Sequence, residues 1–250
     1  MGPLLEVKGI SKSFGGLQAL RDINFTVSAG ERVGIIGPNG AGKTTLFNIL
    51  SGFTPPNSGM VLLDGQNILG KKPYQIVNLG LTRTWQLVKP FSGMKVIEAV
   101  SVPTFSKRYK NIYPAHPQGL KGINQILEGI GLAEKIWEEV ENLNHSELRL
   151  LDISRAMATN PRILLLDEPF SGLSPKETEK ISRMIIDLNE EGLTLLIIEH
   201  RLKELMKLVQ RVIVIHFGEK IAEGPPECII QDPRVVEAYL GERITDLGLA

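Results

Sequence analysis

The chain has 250 residues, 42% of them apolar and 22% charged, an ordinary globular composition with enough length for one substantial core or two modest ones. Its 28 basic and 28 acidic residues cancel, so no overall field gathers nucleic acid or anionic lipid, and a nucleic-acid partner is disfavoured. Cys228 is the only cysteine, no secretory leader pattern opens the chain, and the longest apolar runs fall far short of the ~20 residues that cross a bilayer, which together point to a reducing cytosol without export.

In chain order, Leu4–Val7, Asn24–Val27 and Arg32–Ile36 read as strands, with Ala29-Gly30-Glu31 as a turn joining the last two in a hairpin. The pattern predicts an antiparallel edge leading into a parallel core. Val33 to Ile36 then runs into Gly37-Pro38-Asn39-Gly40-Ala41-Gly42-Lys43-Thr44-Thr45, and a helical pattern follows with Leu46, Ile49 and Leu50 on one face. Such a loop lets backbone N–H groups close around anionic oxygens, and the helix behind it adds a positive dipole end. Lys43 can reach the β and γ phosphates and Thr44 can hold Mg²⁺, so the chain is expected to bind ATP or GTP.

The helix should stop at Gly52, and Pro73 fits the first position of a short helix ending by Gly80, before a strand at Leu81–Trp85. From Val96 to Asn142 the character turns helical: Ile123, Ile126, Leu127 and Ile130 recur at i, i+3, i+4 and i+7, and Gly131 interrupts before a further helical stretch, Ala133–Glu141. The expected organisation is therefore a core of residues 1–92 and 150–250, with residues 93–149 inserted as a helical subdomain. Within it, Val102–Gly122 carries Pro103, Pro114 and Pro117 and no acid. It reads as a solvated, partly mobile loop or as a contact for another subunit or lipid headgroups.

Arg162–Leu166, Leu193–Ile198 and Arg211–Ile215 are candidate buried strands, separated by helices such as the one bearing Ile181, Met184, Ile185 and Leu188. That alternation implies an α/β fold with a parallel sheet covered on both faces. His216-Phe217-Gly218-Glu219 turns into a short strand, Lys220–Glu223, and Pro225-Pro226 opens a helical tail. Asp167 and Glu168 end the apolar run Ile163–Leu166, where an α/β sheet exposes its ligand crevice. Nucleotide hydrolysis needs one carboxylate for the magnesium shell and another group to orient or deprotonate water. Asp167 suits the metal and Glu168 the water; the plain alternative has Asp167 capping a turn and Glu168 in solvent.

Taken with Phe14-Gly15-Gly16, Arg83-Thr84-Trp85-Gln86, Gly172-Leu173-Ser174-Pro175, Ile198-Glu199-His200 and the tail from Asp232-Pro233 to Gly241-Glu242, these motifs resemble an ABC-type ATPase subunit, most of all the ATPase of branched-chain amino acid importers. The likeness runs from Leu4 to about Glu242. It implies a RecA-like P-loop core with an antiparallel β edge and an inserted helical subdomain, ATP and Mg²⁺ as ligands, and a pair of ATPase subunits on membrane permeases served by a substrate-binding protein. The subunit would sit at the cytoplasmic side of the membrane. By resemblance, Phe14 stacks on adenine, Gln86 reaches the metal and the catalytic water, and His200 contacts the γ-phosphate.

One motif departs from the family pattern. Each subunit of such a pair closes a signature loop, L-S-x-G-Q, over its partner's nucleotide, and here that place reads Leu143-Asn144-His145-Ser146-Glu147. Asn144 replaces a hydroxyl with a carboxamide that retains an N–H₂ donor. Ser146 adds a Cβ where glycine permits close approach. Losing one charge-assisted bond there would cost about 1.5–3 kcal/mol, roughly ten- to a hundredfold in rate. The phosphate loop, Gln86, Asp167, Glu168 and His200 are intact, so the altered loop would impair only the partner's site, which favours a heterodimer over a homodimer. Ser174 stands where Asp or Asn is usual and reads as the start of a capping box with Glu177. The rival readings are a soluble ABC protein acting on ribosomes or DNA, a nucleotide-binding module with little turnover, and a lipopolysaccharide-export type ATPase.

Overall fold

The computed structural model describes residues 2–86, 91–112 and 119–240. Strands β1 (Leu5–Phe14) and β2 (Leu17–Val27) form a hairpin, with Leu5 opposite Val27 and Phe14 opposite Leu17. Strand β3 (Arg32–Ile36) runs into the phosphate loop and helix α1 (Lys43–Leu50); β4 (Ser58–Leu63), β5 (Gln66–Asn67), α2 (Pro73–Leu79) and β6 (Leu81–Arg83) follow. Four helices come next: α3 (Val96–Ser101), α4 (Lys107–Ile112), α5 (Gly119–Ile130) and α6 (His145–Met157). The chain closes with β7 (Ile163–Asp167), α7 (Pro175–Glu190), β8 (Thr194–Ile198), α8 (Leu202–Leu208), β9 (Arg211–His216), β10 (Glu219–Gly224), α9 (Pro226–Ile229) and α10 (Pro233–Leu240).

Two sheets result, an antiparallel one in the order β2-β1-β4-β5 and a six-stranded one in the order β10-β9-β3-β8-β7-β6. All neighbours in the second are parallel except β10 on β9. Alternation along its strands sends side chains to opposite faces and so makes two cores. Ile163, Leu165, Val33 and Ile35 face α1 and the antiparallel sheet, whereas Leu164, Leu166, Leu195 and Ile197 face α7, α8 and the helices between β6 and β7. Among the described residues no helix is long and apolar enough to cross a membrane.

The expected hairpin between Asn24–Val27 and Arg32–Ile36 does not form. Val27 pairs with Leu5, and β3 lies between β8 and β9 in the other sheet. The reason lies in their patterning: β2 alternates buried and exposed positions, as a half-covered strand does, while β3 is apolar and buried at Val33–Ile36, as a strand covered on both faces must be. The strand expected at Leu81–Trp85 stops at Arg83. The helix expected over Ala133–Glu141 is replaced by two 3₁₀ turns, Ala133–Lys135 and Val140–Asn142. Backbone bonds to the start of α3, Val96 N to Glu138 O and Ile97 N to Ile136 O, take over the carbonyls a helix would use.

The segment Val102–Gly122 is more ordered than a solvated loop where it is described. Val102–Phe105 is 3₁₀, and α4 is fixed to the core by the Arg108 backbone N–H to Asn78 Oδ1 at 3.0 Å and by Arg108 Nε to Asn160 O at 2.8 Å. Pro114 and Pro117 lie outside the described residues, as do Gly241 and Glu242 of the tail motif.

Candidate active site

Strands β3, β6, β7 and β8 are parallel, so their carboxyl ends open on one side of the sheet, and every chemically expressive segment follows one of those ends. The phosphate loop follows β3, Gln86 follows β6, Asp167 ends β7 and His200 follows β8. Gly37 leaves β3 at φ +151°, and a Cβ there would lie 1.9 Å from the Ile215 carbonyl oxygen on β9. A side chain cannot fit between these two strands. The loop is also tied to the β-rich part: Gly218 N donates to Ala41 O, and Arg21 N on β2 donates to Gly218 O. At the far end of the same hairpin, Phe14 is half exposed with the Lys12 ammonium 5.0 Å from its ring centre.

Helix α1 begins at Gly42 with no side-chain cap and no acid in its first turn. Its leading N–H groups are therefore not taken by a capping side chain, the arrangement that receives an anion. Lys43 is buried, and its ammonium donates to the Gly37 and Pro38 carbonyls at 2.5 and 3.0 Å. Thr44 is exposed and Thr45 half-buried in the same first turn, while Pro38, Asn39 and Gly40 form the outer rim.

Glu168 sits at the centre of the second cluster. Gln86 Nε2 donates to its Oε2 at 2.7 Å, and His200 Nε2 donates to its Oε1 at 3.0 Å. The Glu168 side chain is 15% exposed, and its backbone has φ +49°, in the left-handed region where a non-glycine residue costs roughly 1–2 kcal/mol. Strain of that size persists where the surroundings fix the residue, and here the bond from Glu168 N to Ile198 O at 2.9 Å does so. The sequence-predicted trio Gln86, Glu168 and His200 is thus brought into direct contact. Asp167 is 2% exposed and pairs with Arg83, whose Nη2 lies 2.6 Å from Oδ2.

Four further neighbours of this cluster had no role assigned from sequence. Arg83 joins Asp167 to α1 through Asn48 Oδ1 at 2.7 Å. Glu199 is buried and accepts Phe170 N, His200 N and Arg201 N, which locks the turn after β8 onto the turn after β7. Arg149, 1% exposed, donates to the carbonyls of Trp85 and Gln86 at 2.7 and 3.0 Å, and Asp152 accepts Trp85 N at 3.0 Å. Burial pulls the Arg149 guanidinium below its ordinary range, against the nearby carboxylates of Asp152, Glu199, Glu168 and Asp167. Burial likewise raises the Asp152 carboxyl, opposed by the Trp85 N–H and by Arg155 and Arg149. A charged pair spaced i, i+3 on the Leu150–Ile153 face of a helix was the available signal, because a solvent-facing pair would lie on the other side.

The departing motif forms the N-terminus of α6. Asn144 is its N-cap: Oδ1 accepts Glu147 N at 2.9 Å and Ser146 Oγ at 2.8 Å, while Glu147 Oε2 accepts Asn144 N at 2.9 Å. This capping box accounts for asparagine and glutamate at that spacing by helix physics alone. His145 Nε2 meets Ser171 O at 3.0 Å, so the turn rests on the segment after β7. Ser174 caps α7 as expected, with Glu177 accepting both its N–H and its hydroxyl. Those bonds, the hydroxyl first, lower the Glu177 carboxyl to about 2.

Comparison with known proteins agrees with this geometry. A family model described as "ABC transporter" matches residues 20–171, and one described as "Branched-chain amino acid ATP-binding cassette transporter" matches residues 219–244. The chain is 40% identical to the high-affinity branched-chain amino acid transport ATP-binding protein LivG of Escherichia coli (strain K12), over 96% of this chain and 98% of that protein. It is 39% identical to the corresponding protein BraF of Pseudomonas aeruginosa, with the same coverage. Among solved structures, the ADP conformation of an ATP-binding cassette of an ABC transporter superposes with a TM-score of 0.87 at 31% identity, covering 97% of this chain and 100% of that one.

Proposed function

The chain belongs to the family of ABC transporter ATP-binding subunits, and from that premise we propose that it hydrolyses ATP to drive an importer of branched-chain amino acids, seated peripherally at the cytoplasmic face of a membrane. The observation that carries the chemistry is the convergence of the phosphate loop, Asp167 and the Gln86–Glu168–His200 cluster at the carboxyl ends of adjacent parallel strands. In this reading Phe14 supports the adenine ring, and the loop from Gly37 to Thr45 receives the phosphates on its amides. Lys43 moves from the Gly37 and Pro38 carbonyls to the β and γ phosphates, where its charge counts most in the transition state.

Glu168 polarises the attacking water, which requires that Gln86 and His200 release at least one of its oxygens. Gln86 then turns toward the reaction centre, and His200 becomes a donor to the γ-phosphate. Thr44, Asp167 and Gln86 offer only oxygen donors and fit Mg²⁺, which takes few protein ligands and would neutralise charge on the phosphates. The division into a core, 1–92 and 150–250, and a helical part, 93–149, is retained, with α6 crossing the second join.

The partner is a second ATPase subunit, with permeases in the membrane and, through them, a substrate-binding protein. We place Asn144, Ser146 and Glu147 over the partner's nucleotide. The Asn144 side-chain oxygen serves the cap, which leaves its N–H₂ group for a phosphate. A heterodimer with one fully competent site, built from this chain's phosphate loop and a partner's regular signature, follows from that asymmetry. Reconstitution tests it: ATP turnover should rise at least tenfold when the partner subunit joins this chain on the permeases. Equal turnover by this chain alone at high concentration would refute the heterodimer.

A further inference from the structure

Arg83 ends β6 opposite Leu165, two residues before Asp167 on β7, so the two side chains share one face of the sheet. Its Nη2 holds Asp167 Oδ2 at 2.6 Å, its Nη1 holds Asn48 Oδ1 on α1 at 2.7 Å, and both charged side chains are 4% exposed. The guanidinium carbon lies 4.6 Å from the Trp85 ring centre and 5.6 Å from that of Phe47, while Nε is buried without a partner. One arginine therefore ties together the helix that carries Thr44, the strand that carries Asp167 and the segment that carries Gln86. Nothing in phosphate binding requires a cation at this place.

We propose that Arg83 is a positioning residue acting as a built-in counter-ion for Asp167: it fixes the carboxylate ahead of the metal and holds divalent cations off until a nucleotide brings phosphate oxygens. A cation reaching Asp167 alone meets a carboxylate already neutralised, with one oxygen engaged, and the other candidate donors, Thr44 and Gln86, carry no charge. Phosphates add the negative charge that tips the balance. Metal and nucleotide then bind as a coupled pair, and the site is kept from holding Mg²⁺ alone. The inference rests on the reading of Asp167 as the metal-side carboxylate.

The experiment uses the full chain and Mn²⁺ followed by electron paramagnetic resonance, first without nucleotide. Arg83→Gln, which keeps a hydrogen-bonding group and removes the charge, should bind Mn²⁺ at least tenfold more tightly than the unaltered chain. Arg83→Lys should stay near the unaltered value, and adding Asp167→Asn to Arg83→Gln should abolish the gain. Arg83→Gln binding Mn²⁺ no more tightly would overturn the proposal, because a purely structural arginine leaves metal affinity unchanged or lowers it.

A second measurement needs no change at Arg83. In Trp137→Phe the only tryptophan left is Trp85, against the guanidinium. Its emission should change with Mg²⁺ and ADP beyond the change with ADP alone, and that increment should vanish in Asp167→Asn. Equal spectra with and without Mg²⁺ would overturn the proposal while leaving nucleotide binding intact. Failure of the unaltered chain to bind ADP at all would instead overturn the proposed function.

Discussion

Replacing glycine by alanine at two places in the phosphate loop separates close packing from backbone conformation. Gly37→Ala puts a Cβ 1.9 Å from the Ile215 carbonyl at φ +151°, whereas Gly40→Ala meets nothing within 4 Å and suffers only from φ +78°. A left-handed alanine costs about 1–2 kcal/mol. Forcing β3 away from β9 adds about 1–3 kcal/mol or more, since the overlapping atom is backbone and cannot rotate aside. Gly37→Ala should therefore lose about 2–5 kcal/mol and Gly40→Ala about 1–2 kcal/mol, which at 2–4 °C per kcal/mol gives Tm decreases of about 4–20 °C and 2–8 °C. Scanning calorimetry of both variants without nucleotide, in one buffer, measures the difference. Equal decreases, or a larger one for Gly40→Ala, would refute the claim that β9 sets the shape of the loop.

Asn144→Ala should destabilise α6 by about 1 kcal/mol, the usual loss of an N-cap, while Asn144→Ser keeps the cap and restores a hydroxyl; in the reconstituted transporter the serine variant should raise turnover, and unchanged turnover would remove Asn144 from the partner's site. Glu177 gives the pH dependence: with its carboxyl lowered from 4.5 to about 2, its contribution is complete above pH 4.5 and is lost as pH falls toward 2. Glu177→Gln should therefore flatten the stability profile in that window and leave neutral-pH thermal unfolding little sensitive to further pH change. Arg149→Met leaves the Trp85 and Gln86 carbonyls without their donors, a buried network whose rupture costs about 3–5 kcal/mol. In a folded variant, kcat should fall much more than ATP affinity, because the Arg149 hydrogen bonds go to the segment that carries Gln86.

The phosphate loop, the apolar strands of the main sheet and the pair Asp167-Glu168 were legible in the sequence because each is a local pattern: a spacing of glycines, a run of buried residues, carboxylates at a strand end. The capping box at Ser174 was legible for the same reason. What escaped was decided by contacts distant in sequence. The direction taken by β3 depended on β8 and β9, more than 150 residues away, so a local turn at Ala29-Gly30-Glu31 suggested a hairpin that tertiary pairing overrides. Strand β4 pairs with β1 across some fifty residues and was not foreseen. Arg83 and Glu199 stand in motifs that assign them no role of their own and Arg149 in none, and only the structure shows that each is buried against another segment's backbone or carboxylate. Asn144 shows the converse: a substitution that reads as damage to a signature is also a sound helix cap.

Glu168, held by Gln86 and His200, is the group proposed to activate water on an ATP bound by this chain's own phosphate loop. Glu168→Gln in the reconstituted transporter tests it most directly, with turnover and retained nucleotide measured on the same sample. Hydrolysis should fall about 10²–10⁴-fold, with ATP kept intact on the protein. Turnover within a few-fold of the unaltered transporter would contradict it.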